Sequence, residues 1–349
     1  MMEFAGYDMP VHYGSIIDEH HAVRTAAGMF DVSHMGEVFV QGPEAAAFIQ
    51  NLVTNDVSAL DDGKAMYTVM CRPDGGVVDD LLVYRLEEEL YLLVINAANI
   101  ETDIAWMHAN NQIGAELTDR SAEMALIAVQ GPAAFDIVSD VADVDLSPLP
   151  FYRFIRPEPG SFLGCDRVIL SHTGYTGEKG LEIYCDSGDA VKVWEAVAAA
   201  GASRGLKPTG LGCRDTLRLE AGYCLYGNDM TTTTNPLEAG LNWLVKLDAG
   251  DFIGRDALVA AKEAGLARRL VAFTVEGRGI PRAGCEIVNT AGDLIGIVTS
   301  GTQSPTLGAG IGMGYVQNLP DYRTAGSQIG IKVRNRTLPA EVKRPPLHK

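Results

Sequence analysis

The texture of the chain changes at about Lys262, and that change limits the possible folds more than any other feature. Residues 271–275, 286–288, 294–299 and 328–333 are short apolar runs at regular spacing with glycine turns between them. Such a pattern predicts a small all-β barrel. Upstream, strand and helix periods alternate instead. Residues 35–42 alternate like a strand ending in a turn, and 43–52 read as an amphipathic helix opening on Pro43-Glu44. A strand over 65–70, the turn Arg72-Pro73-Asp74-Gly75-Gly76, a partner strand over 77–85, a third strand over 91–95 and a helix over 99–111 follow. The tetrapeptide Val-Gln-Gly-Pro occurs at 40–43 and again at 129–132, each time between a strand-like and a helix-like run, which points to an internal duplication. Further helices are predicted over 189–200 and from 213 onward, and the break near Gly265 marks a domain boundary.

At 349 residues the chain is too long for one compact core, and two or three domains are expected. A net charge of −17 argues against nonspecific nucleic-acid binding. Six cysteines lie far apart without a C-x-x-C pair, which speaks for reduced thiols and against a disulfide framework or a zinc site. The seven histidines show no metal-ligand spacing. No run of 18 apolar residues and no charged-then-apolar leader is present, so no membrane association is expected and a cytoplasmic setting is the default.

Four stretches carry residues suited to chemistry. In Ser171 to Tyr184, glycines at 174, 177 and 180 allow positive φ or close approach to a ligand or another segment. Glu182, on the strand leaving that loop, is placed to accept paired N–H donors from a planar heterocycle. In Gly75-Gly76-Val77-Val78-Asp79-Asp80-Leu81-Leu82, the two aspartates point to opposite faces of a strand, so only one can enter a given pocket. An unpaired aspartate in an apolar strand costs roughly 2–7 kcal/mol, so each needs a partner or a task. Arg214 and Arg218, four apart on a helix, share a face and could hold an anion jointly; Asp215 offers Arg218 a surface ion pair instead. Residues 225–240 form a polar, threonine-rich loop of a length often used for function. Ser33-His34 has the elements of a nucleophile and base, but adjacent side chains on an extended segment diverge, and neither a G-x-S-x-G elbow nor a phosphate-binding glycine motif occurs.

Read in order, FAGYDMPVHY (4–13), FDVSHMG (30–36), TNDV (54–57), GGVVDDLLVYR (75–85), GYTGEKGLEIY (174–184), RDTLRLEAGYCLYGNDM (214–230), FIGRDAL (252–258) and VTSGTQSPTLG (298–308) resemble the aminomethyltransferase family, the T-proteins of glycine cleavage. The likeness runs from about residue 4 to 340. It implies an α+β fold with a three-domain, cloverleaf-like arrangement around a central folate cavity and a small C-terminal β-barrel. The division it suggests is a folate-binding region over 1–262, of two interleaved α+β subdomains with the second near 54–120, and a barrel over 263–349. The implied co-substrate is tetrahydrofolate, with no metal. The implied partner is the lipoylated glycine cleavage H-protein, whose S-aminomethyl group yields methylenetetrahydrofolate, ammonia and the dihydrolipoyl form. By matching segments, the aspartate that contacts the reacting folate nitrogens is Asp80, the pterin-binding glutamate is Glu182 and a folate-binding arginine is Arg214. Tyr67 and Asn96 match further folate-contacting positions, and Arg344 is a candidate near the C-terminus.

The family usually has a helix before the FAGY segment, whereas here Met1-Met2-Glu3 precede it; either the helix is lost or the assigned start lies inside it. Within the superfamily, a folate-dependent demethylase of a small sulfur or nitrogen compound is the alternative. A folate-binding accessory protein is a third, from which this chain departs by lacking a cysteine in the GYTGEKGLEIY segment.

Overall fold

A computed structural model describes residues 1–349, which form two compact units. The first comprises residues 1–68 and 79–214, the second residues 69–78 and 215–349. The predicted break near Gly265 therefore falls inside the second unit.

The first unit is built on two mostly antiparallel sheets. One has six strands in the order Phe154–Ile155, Val168–Ser171, Gly180–Asp186, Met124–Gln130, Ala27–Asp31 and Leu206–Pro208, the last parallel to its neighbour. Side chains alternate across its strands. Leu181, Ile183, Val129, Ile127 and Leu170 point to one face, where they bury against Ile137 and Val138 of helix Ala134–Ala142 and Val193 and Val197 of helix Ala190–Gly201. Glu182 and Tyr184 necessarily emerge on the other face. The second sheet has five strands in the order Lys64–Cys71, Val77–Glu87, Leu90–Ile95, Gly36–Gln41 and Glu116–Asp119. Helix Ile16–Thr25 starts on Ser15, whose hydroxyl accepts from the Asp18 amide. The buried Glu19 on that helix accepts from the amides of Tyr13, Gly14 and Gly210 and so fixes the entry to helix Leu211–Ala221.

The two Val-Gln-Gly-Pro passages adopt one local structure. Gly42 and Gly131 end central strands with φ +102° and +128°, and each carbonyl accepts from the amide three residues on, 3.0 Å away at Ala45 and at Ala134, as the following helix begins. The likeness read from four letters is a repeated strand–turn–helix.

The second unit contains a closed barrel in the order Arg268–Val275, Gly310–Gln317, Leu294–Gln303, Glu286–Val288, Gln328–Val333 and Arg336–Lys343. Its core includes Phe273, Ile287, Ile331 and Ala340. Two of these strands, Gly310–Gln317 and Arg336–Lys343, are absent from the sequence reading. The first carries glycine at 310, 312 and 314, which reads as loop. A Cβ at Gly312 would lie 2.6 Å from the Phe273 ring and 2.8 Å from the Ser300 carbonyl oxygen. Glycine is kept there so that Phe273 can fill the barrel. Gly312→Ala is expected to destabilise the protein by about 1–3 kcal/mol, the usual range for overpacking. Urea unfolding followed by circular dichroism measures it, and an unchanged midpoint would show that the barrel has slack at this position.

Candidate functional site

Strand Val77–Glu87 sends Asp79 and Asp80 to opposite faces, as its alternation requires. Asp79 is fully buried. Its carboxylate accepts from the Asn96 amide N–H at 3.1 Å, the Asn96 Nδ2 at 2.9 Å and the Asn99 Nδ2 at 2.8 Å. Asp80, on the other face, is only partly covered. The Tyr67 hydroxyl donates to its Oδ2 at 2.8 Å, and the Asn96 Nδ2 reaches both its Oδ1, at 3.2 Å, and its backbone carbonyl, at 3.0 Å. Asn96 therefore clamps both aspartates from the end of the adjoining strand. Three of the predicted site residues, Asp80, Tyr67 and Asn96, form one hydrogen-bonded group.

Burial first, and then the neighbouring Asp79 charge, push the Asp80 carboxyl up to about 7, against the opposing hydrogen bonds from Tyr67 and Asn96. Such a group changes protonation in the physiological range. If the reaction uses its carboxylate, turnover rises with pH through a limb near that value. Tyr67→Phe deletes one bond that favours the ionised form, so the limb is expected to move to higher pH. A kcat–pH profile that stays in place would remove Tyr67 from this role.

Glu182 lies on the second candidate strand, Gly180–Asp186, and is buried. Burial raises its carboxyl above the ordinary range, while a short hydrogen bond from the Thr173 hydroxyl to Oε2 and the positive charge of Arg214 oppose that rise. Arg214 sits in the first turn of helix Leu211–Ala221 with its guanidinium over the Tyr175 ring, 4.8 Å from the centroid. All five predicted residues thus fall in the first unit, and Glu182 and Arg214 interact electrostatically.

What joins the two groups is Tyr84, which sequence reading did not single out. It lies four residues beyond Asp80 on the same strand and so on the same face, about 13 Å along. Its hydroxyl meets those of Thr173 at 3.2 Å, Tyr184 at 3.0 Å and Ser171 at 3.2 Å, all on the Glu182 side. Tyr84, on the strand face that carries Asp80, thus meets the hydroxyl cluster beside Glu182. The available signal was the two-residue alternation from Asp80 to Tyr84.

Other expectations resolve differently. Arg214 and Arg218 do not form a joint anion site. Arg218 is buried and its guanidinium is committed to Asp229 at 2.7 Å, Asp215 at 2.8 Å and the Ser300 hydroxyl at 3.0 Å. The threonine-rich loop is pinned at Asp229, which also accepts from Thr299 at 2.5 Å and the Leu225 amide at 3.0 Å. Ser33 is spent on the Leu126 backbone and His34 packs edge-on against Phe4, so no nucleophile–base pair exists. Of the loop glycines, only Gly177 takes positive φ; a Cβ at Gly174 or Gly180 would collide with Gln130, at 2.0 and 2.4 Å. These two serve approach to a neighbouring segment. Arg344 is exposed just past the last barrel strand. A shallow groove of about 390 Å³ on the second unit has Arg268 as its charged group, already tied to Glu238 and the Thr233 carbonyl. Its lining contains no carboxylate. The six cysteines are free, no group of three or more His, Cys, Asp or Glu is arranged to hold a metal ion, and no helix is long and apolar enough to cross a membrane.

The family described as "GCVT N-terminal domain" matches residues 1–249, and "Glycine cleavage T-protein C-terminal barrel domain" matches 268–349. The chain belongs to the glycine cleavage T-protein family. Aminomethyltransferases of Halothermothrix orenii and Bacteroides thetaiotaomicron are each 52% identical to it, over 98% and 100% of this chain and 94% and 96% of theirs. The crystal structure of glycine cleavage system aminomethyltransferase T from Bartonella henselae superposes with a TM-score of 0.90 at 32% identity, covering 99% of this chain and 93% of that one. The fold class is thus a mixed α and β region with a C-terminal closed barrel, and the chain is an enzyme of the aminomethyltransferase class.

Proposed function

We propose that this T-protein family member transfers the one-carbon unit of an S-aminomethyl group, borne on the lipoyl arm of the glycine cleavage H-protein, to tetrahydrofolate. Ammonia, methylenetetrahydrofolate and the dihydrolipoyl H-protein are the products. The observation that supports this reading is Tyr84, which shares the strand face of Asp80 and meets the hydroxyls beside Glu182, with the Arg214 charge acting on Glu182.

The donor set suits a folate. Glu182 is a nearly dehydrated acceptor, suited to the paired N–H donors of an aminopyrimidine edge. Arg214, braced over Tyr175, suits a carbonyl or carboxylate of the same ligand. Bound tetrahydrofolate supplies the nucleophilic nitrogens that accept the carbon. Asp80, held from two sides by Tyr67 and Asn96, orients an amine hydrogen and stabilises positive charge that develops as ammonia departs. A carboxyl that titrates near 7 can also take up the proton an amine must lose. The division into a folate-binding region over 1–262 and a barrel over 263–349 belongs to the same reading, supported by family matches that end at 249 and resume at 268.

The test is to combine the protein with aminomethylated H-protein and tetrahydrofolate and to follow ammonia. Release that requires both substrates is expected. Formaldehyde or methyl transfer from a small methylated amine or thioether, without ammonia from H-protein, would favour the demethylase instead.

A further inference from the structure

Behind Asp80 lies an acid that the mechanism above does not use. Asp103, on helix Ile100–Ala109, is fully buried on the same helical face as Met107. Both of its carboxyl oxygens are sealed from solvent, and no N–H or O–H group points at either. What stands beside it, within hydrogen-bonding reach, is the carboxylate of Asp79. Two ionised carboxyls cannot satisfy each other, since both only accept. One proton placed between them removes the conflict: the protonated member donates, and the pair carries a single charge.

Which member holds the proton follows from the surroundings. Asp79 already accepts three N–H groups, from Asn96 and Asn99, so its surroundings are built for an acceptor. Asp103 has no such donors. Burial, then the Asp79 charge and the contact with Asp79, and finally the Asp80 charge drive its carboxyl up to about 11. The groups that face this pair are Asp79 and Asp80 from the strand, Asn96 and Asn99 from the turn after the neighbouring strand, and Tyr67 through Asp80.

We infer that Asp103 is a positioning residue for the transfer reaction: as a neutral acid it donates its proton to Asp79, and Asp79 so held fixes the Asn96 amide that clamps Asp80. The inference rests on the assignment of Asp80 to the reaction. It adds a second effect as well. By drawing on the charge of Asp79, the Asp103 proton weakens the repulsion Asp79 exerts on Asp80, so the clamp and the protonation of Asp80 are set from one buried point.

The experiment compares Asp103→Asn, Asp103→Leu and Asp80→Asn with the unaltered full chain in the H-protein-coupled assay across pH. Asp103→Asn keeps a donor toward Asp79 without a charge and is expected to recover most of the turnover. Asp103→Leu removes the donor. Its kcat is expected to fall about tenfold with little change in folate Kd, as loss of positioning should give. Its acid limb should move up by roughly one pH unit. A protonated-carboxyl carbonyl band, read by infrared difference between the unaltered protein and Asp103→Asn at neutral pH, should be present and should persist to alkaline pH. This measurement needs no activity and stands even if Asp103→Leu does not fold. Absence of that band, or an unmoved pH limb in a folded Asp103→Leu, overturns the inference. If Asp80→Asn is fully active, it is instead the assignment of Asp80 that has failed.

Discussion

Asp80→Asn is expected to lower kcat by about 10²-fold or more while leaving tetrahydrofolate affinity largely intact, the behaviour of a positioned acid–base group. Asparagine keeps the size of the side chain and can still receive the Tyr67 hydroxyl on its carbonyl oxygen; its amide nitrogen gives up the bond from Asn96 Nδ2, which stays held by Asp79 and by the backbone carbonyl of residue 80. What it loses is the negative charge and the capacity to take a proton. Steady-state ammonia release gives kcat, and folate titration by fluorescence or calorimetry gives Kd. The acid limb near pH 7 should vanish in the same variant, because the titrating group has gone. Turnover equal to that of the unaltered protein would remove Asp80 from the chemistry.

The second large effect is expected on binding. Glu182→Ala withdraws a buried carboxylate from a ligand edge that offers two N–H donors. Hydrogen bonds to charged groups contribute about 1.5–3 kcal/mol each, so a loss of about 3 kcal/mol, or roughly a hundredfold in Kd, is expected. The substitution also removes one acceptor of the Thr173 hydroxyl, which keeps its contacts with Ser171 and Tyr84, and takes away the negative charge that Arg214 meets at this position. Glu182→Gln separates these consequences, since its amide can still accept from Thr173. If folate binds Glu182→Ala with unaltered affinity, the pterin edge lies elsewhere.

Much of this site was legible in the residues because strand alternation is a rigid rule. The opposition of Asp79 and Asp80 follows from their adjacency in a run that also contains Val77, Val78, Leu81 and Leu82, and the structure keeps it. The matching of segments to a family located Tyr67 and Asn96, which no local pattern would have paired with Asp80 across 13 and 16 residues. Three things were hidden. Helical spacing put Arg214 and Arg218 on one face, but it could not reveal that Asp229, eleven residues on, captures Arg218. Glycines at 310, 312 and 314 masked a barrel strand, since glycine ordinarily weakens strands and its use here depends on what Phe273 and the neighbouring carbonyls require. Asp103 falls in the helix read over 99–111 and was not singled out. Its position four residues before the buried Met107 was the available sign that it faces inward.

The contact of Gln130 with the bare backbone at Gly174 and Gly180 has a consequence for how such a chain can vary. Gln130 donates to the Thr173 carbonyl and accepts from Thr176, so the segment that presents Thr173 and Tyr175 is moulded around a single amide from a central strand. Enlarging either glycine evicts that amide, and shrinking the amide unseats the loop. The three positions should therefore drift through descendants as a linked set. A lineage that reshapes its ligand-facing loop would have to rewrite the middle of its principal sheet in the same stroke.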